Sequence, residues 1–228
     1  MKLLKKNFLI LGCPRSGTHR VKEFIRHNIS KKINKNCHLI AQDDIFLKKT
    51  VFYIFDPYVD KMYSFIKKKN LLKKRILSTH NYYDKIDSDF KNYQLIITLR
   101  DPISTTASVI SYSIKKETMK IFPEYKIDNY INLINNKRLI KKYLDDYINF
   151  YKRILKEKTL YLKNIIFIDF NDNLINKLSK YNFVNHKIIK SRLHASSRNK
   201  KKIKKLLQKN YDFTLAKKVY ELCKKLPK

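Results

Sequence analysis

Glycine is almost missing. Of 228 residues only Gly12 and Gly17 lack a side chain, and both fall in Gly12-Cys13-Pro14-Arg15-Ser16-Gly17. Glycine costs backbone entropy on folding and is retained where a Cβ would forbid a conformation or a close approach. A chain that does without it elsewhere marks this loop. Tryptophan is absent, and Cys13, Cys37 and Cys223 are too few and too scattered for a disulfide framework or a metal-ligand pair. That scarcity points to a reducing compartment, taken as the cytoplasm. No apolar run approaches the length of a membrane span. The first thirteen residues, basic and then apolar, imitate a secretory or lipoprotein leader. The apolar part is too short for a typical signal core, and cleavage there would destroy the glycine loop, so a structural strand is the preferred reading.

Acidic residues are scarce as well: 19 against 52 basic ones, for a formal net charge of +33. Such a balance attracts anionic partners, implies nonspecific polyanion binding, and invites a nucleic-acid reading. The basic residues are overwhelmingly lysine, however, and come with abundant Asn, Ile and Tyr, as an AT-rich coding sequence would give. Arginine, suited to bidentate phosphate recognition, is rarer and more informative. The 43% hydrophobic content excludes wholesale disorder, and one domain spanning residues 1–228 is expected.

Apolar runs at 8–11, 75–79, 94–99 and 164–170 read as strands, with a further short candidate at 38–41; the run 51–55 is left between strand and helix. Helices are expected at 18–27, after Asp101-Pro102, over 129–157, through Leu174 and Leu178, and as one or two lysine-rich segments between 200 and 225. Asp is a good N-cap and Pro is favoured at the first helical position, so a helix should start directly after Arg100. Strands separated by helices predict an α/β fold, a parallel sheet with helices on both faces. Ligands bind such sheets at the carboxyl ends of their strands, where the glycine loop, His80 and Arg100 all fall.

A glycine-framed turn between strand and helix makes a cradle of backbone N–H groups for an anion. Here the spacing from Gly12 to Gly17 starts a phosphate-binding loop, but Thr18-His19 stands where Lys-[ST] should follow. That disfavours the alternative of a P-loop nucleotide kinase. Arg15 lies inside the loop, with Ser16 and Thr18 as phosphate-facing donors. A second anion site is expected at Arg100 with Ser104, Ser108 and Ser111, which share a helix face. Together the two sites suggest a ligand with two separated anionic groups. A basic nucleic-acid-binding module on this fold is the alternative of a different class.

Phe8 to Thr18, with Pro14-Arg15-Ser16-Gly17-Thr18, resembles the opening strand and 5′-phosphosulfate loop of sulfotransferases. Arg100-Asp101-Pro102 with Ser108 resembles their 3′-phosphate motif. The resemblance implies a P-loop-type sheet and a 3′-phosphoadenosine 5′-phosphosulfate (PAPS) cosubstrate. Pro14, Arg15, Ser16, Gly17, Thr18, His19, Arg100 and Ser108 would bind it, and no metal is required. It also implies an acceptor bearing a hydroxyl, a carbohydrate or another hydroxylated metabolite. Ser78-Thr79-His80 resembles the Lys-Thr-His element whose histidine takes the acceptor proton, with Ser78 in place of the lysine. His80 is therefore the base candidate. Glycan-type relatives use a carboxylate, for which Asp43 and Asp44 are the alternatives and Glu23 a weaker one. Residues 165–174 resemble the late strand with its Tyr-Glu-Asp-Leu ending, here Phe170-Asn171-Asp172-Asn173, and no catalytic role is assigned there. His194-Ala195-Ser196-Ser197-Arg198 resembles a segment of bacterial and glycan-type members, which adds Arg198 to the donor site.

Overall fold

The computed structural model describes residues 7–28, 76–79, 93–113, 130–161, 165–178 and 199–226. Four strands, β1 (Asn7–Leu11), β2 (Ile76–Thr79), β3 (Tyr93–Leu99) and β4 (Ile165–Asp169), form one sheet in the order β2-β1-β3-β4. Every pairing is parallel, with Leu11 opposite Thr79 on one side and Ile97 on the other. The α/β reading therefore holds. Chain order reverses around β1, and its boundary with β3 is the switch point where open sheets bind ligands.

Side chains alternate along a strand, and here both faces are apolar. Phe8, Ile10, Ile96, Ile166 and Ile168 pack with Val21, Phe24 and Ile25 of α1 (Thr18–Asn28). Leu9, Leu11, Leu95, Ile97, Leu99 and Phe167 point to the opposite layer. That layer holds α2 (Pro102–Ser113), α3 (Tyr130–Asn135) and α4 (Lys137–Tyr161). The short α5 (Leu174–Leu178) follows β4 on the α1 side, and α6 (Lys200–Asn210) and α7 (Thr214–Lys224) close the chain on the α2 side. Ile10 and Ile97 are fully buried, which contributes about 1.5–3 kcal/mol for each such side chain.

Asp101 caps α2 as its sequence predicts, its Oδ1 accepting from the Ser104 N–H at 2.7 Å. The helix expected over 129–157 is instead two. Asn136 ends α3 and its Oδ1 accepts from the Leu139 N–H at 3.0 Å, so it caps α4. The apolar periodicity runs through this break and hides it, while asparagine is among the best N-caps. The candidate runs 38–41 and 51–55 lie outside the described residues. No described helix is long and apolar enough to cross a membrane.

Candidate functional site

The two glycines serve different ends. A Cβ on Gly12 would lie 1.9 Å from Thr98 Oγ1 and 2.6 Å from Ser16 Oγ, so glycine is needed for the loop to approach β3. Gly17 has φ +112° and would set a Cβ 3.0 Å from the Phe170 ring, so both its backbone and its surroundings need hydrogen there. Between them Arg15 adopts φ +67°, a left-handed conformation uncommon for a residue with a side chain. The Ser16 N–H donates to Cys13 O at 3.0 Å and closes the turn. α1 then starts at Thr18 with no acidic residue in its first turn, so no carboxylate of its own offsets the positive end of the helix.

Ser16, expected to face a phosphate, turns its hydroxyl to Thr98 Oγ1 at 2.7 Å. Thr98 in turn donates to Leu11 O at 3.3 Å, so the Ser16 side chain holds the loop onto the sheet. Pro14 and Thr18 are buried and His19 is half-buried on α1.

The exit of β3 carries the second set. Arg100 donates from Nη1 to the Arg15 carbonyl at 2.7 Å, and Arg15 donates from Nε to Ser108 Oγ at 3.1 Å. The loop and the Arg100/Ser108 pair, separate in sequence, are therefore in direct contact. Two tyrosines fix this exit: Tyr151 donates to Thr98 O at 2.7 Å and Tyr147 to Arg100 O at 2.9 Å. Four residues of helix rise about 6 Å and two residues of extended chain about 6.6 Å, so hydroxyls one turn apart on α4 match carbonyls two residues apart at the exit of β3. Ser111, on the Ser108 face of α2, is buried with its hydroxyl unpartnered, as is Tyr143 on α4.

Phe170, from the segment given no role above, and Arg20, from the first turn of α1, join the set. The Arg100 guanidinium carbon sits 3.9 Å from the centroid of the Phe170 ring. Arg20 donates to Phe170 O at 2.5 Å and to Asp172 O at 2.7 Å. Burial lowers the pKa of Arg100, and the neighbouring Arg15 charge lowers it further, ranking ahead of the attraction from Asp101 and Asp169. Lys200, the first residue of α6, is pushed down to about 8 by burial and by Arg100, Lys204 and Arg15. Nothing marks Lys200 in the sequence, where it is one lysine of many. For Phe170 the signal was the likeness of its segment to a late family strand.

Thr79 is registered opposite Leu11, which sets the carboxyl end of β2 beside the start of the glycine loop. His80, Asp43, Asp44 and Arg198 lie outside the described residues. Glu23 lies on α1, one turn beyond His19.

A buried Arg100, a half-buried Arg15 and the N-terminus of α1 meet at the carboxyl ends of β1 and β3, an arrangement whose chemistry suits anions. No curated protein matches the chain. A family model described as the sulfotransferase domain covers residues 5–212, nearly the whole sequence and both sides of this site. The protein is thus an enzyme of sulfuryl transfer: the chain belongs to the sulfotransferase family.

Proposed function

We propose that this sulfotransferase draws its sulfuryl group from PAPS and passes it to a hydroxyl of a carbohydrate or another hydroxylated metabolite. One observation carries the reading: Arg15, from the glycine loop, reaches Ser108 and receives Arg100 on its own carbonyl. A donor with phosphates at both ends needs two anion sites within the reach of one nucleotide, and contacts that bring the loop and the Arg100/Ser108 pair together support that reading. Within the cluster, the buried Arg100 suits a small enclosed anion better than a polyanion such as nucleic acid. Arg100 is only 9% exposed, whereas phosphate-tracking cations lie on the surface.

In this reading the loop and the N-terminus of α1 hold the 5′ end, and Arg100 with Ser108 holds the 3′-phosphate. The acceptor oxygen forms a bond to sulfur as the bond from sulfur to the bridging oxygen breaks. Arg15 stabilises the charge left on that oxygen, where a preorganised donor has most effect. His80 takes the acceptor proton, with Asp43 or Asp44 as the alternatives; Arg198 adds a further donor contact. The products are a sulfate ester and adenosine 3′,5′-bisphosphate.

Calorimetric titration with adenosine 3′,5′-bisphosphate tests the assignment. Arg15→Ala and Arg100→Ala should each weaken binding by about 10- to 100-fold, the scale of a lost charge-assisted hydrogen bond. Unchanged affinity in both would overturn it.

A further inference from the structure

We propose that Phe170 is a positioning residue of the donor site, its ring holding the Arg100 guanidinium and its backbone held in turn by Arg20; the link to donor binding rests on the function proposed above. Arg100 and Arg15 carry like charges, yet Arg100 must stay close enough to donate to Arg15 O at 2.7 Å. An aromatic face offers negative potential to a guanidinium without neutralising it, so the cation remains able to attract a phosphate. With 3.9 Å between the guanidinium carbon and the ring centroid, Phe170 does this for Arg100. The other edge of the ring, through Cδ2 and Cε2, faces Gly17. One side chain therefore touches both phosphate motifs.

The ring is fixed from both of its peptide groups. The Phe170 N–H donates to Leu99 O at 2.8 Å, which carries the β3–β4 pairing one residue past the strand. Its carbonyl accepts from Arg20, whose second nitrogen binds Asp172 O at 2.7 Å. Arg20 is thereby committed to the turn after β4. The order of support runs from Arg20 to Phe170 to Arg100 to Arg15.

Arginine-labelled protein tests this directly. The Arg100 Nε–H resonance, assigned with Arg100→Lys, should be shifted upfield by the ring current of Phe170. Phe170→Leu should abolish that shift and weaken adenosine 3′,5′-bisphosphate binding about tenfold, while Phe170→Tyr restores both. Arg20→Met, which has no N–H to give the two carbonyls, should shift the same resonance if Phe170→Leu does not fold. An Arg100 resonance that is unshifted in the wild type, or unmoved by these variants, overturns the inference. Should the wild type bind no nucleotide, the proposed donor falls, and the resonance still decides whether Phe170 positions Arg100.

Discussion

Arg15 and Ser108 lie 93 residues apart in sequence, and the Nε of one donates to the Oγ of the other at 3.1 Å. The contact joins a strained loop to the middle of a buried helix. It depends on β1 and β3 being neighbours in the sheet, since the loop after β1 carries Arg15 and the helix after β3 carries Ser108.

Ser108→Ala should lower affinity for adenosine 3′,5′-bisphosphate by about fivefold, the scale of one hydrogen bond of about 1 kcal/mol. Ser104→Ala, on the half-exposed side of the same helix face, should change it less. Calorimetry on both variants checks the order, and equal effects would detach Ser108 from the donor site.

Gly17→Ala should destabilise the fold by about 1–3 kcal/mol, because a Cβ is strained at φ +112° and presses on Phe170. Gly12→Ala should cost at least as much, since its Cβ would overlap Thr98 Oγ1 at 1.9 Å. Urea unfolding at fixed temperature measures both.

The tyrosines of α4 should separate by sign. Tyr147→Phe and Tyr151→Phe each remove a buried hydrogen bond to a carbonyl at the exit of β3 and should cost about 1–3 kcal/mol. Tyr143→Phe removes a buried hydroxyl that has no partner, so it should be neutral or stabilising. A large loss at Tyr143 would show that its hydroxyl is satisfied after all.

Lys200 gives a pH signature. Its folded pKa is lowered from 10.5 to about 8, so between those values the unfolded chain holds a proton that the folded one has released. Stability from this group therefore rises with pH across that window, and the penalty of the buried charge is fully present below it. Bound phosphate favours the charged lysine, so adenosine 3′,5′-bisphosphate should bind with proton uptake near pH 8–9 and weaken as pH climbs further. Calorimetry in buffers of different ionisation enthalpy reads the uptake. Lys200→Gln should remove it, and an unaltered uptake would exclude Lys200 from the phosphate environment.

Much of the local structure around the candidate site was legible because its cues are local. Asp101-Pro102 specify a helix start from two neighbouring residues, and α2 begins there. The glycine pair marked the loop against a background nearly free of glycine. Asn136 was missed because periodicity spans it, although the capping bond is itself local. The bond between the Ser16 hydroxyl and Thr98 could not be read, since Thr98 comes from another strand. Lys200 was invisible for the same reason, and the place of Phe170 beside Arg100 could not be read either, because their neighbours come from distant segments.

The order of residues alone determined which peptides turn, cap and bury, and so the α/β class and the place of the loop, because those preferences act within a few positions. Only the tertiary structure decided that Arg15, Arg100, Ser108 and Phe170 form one cluster. Parallel pairing of β1, β3 and β4 draws their carboxyl ends together, and such proximity is a property of the assembled sheet rather than of any one segment.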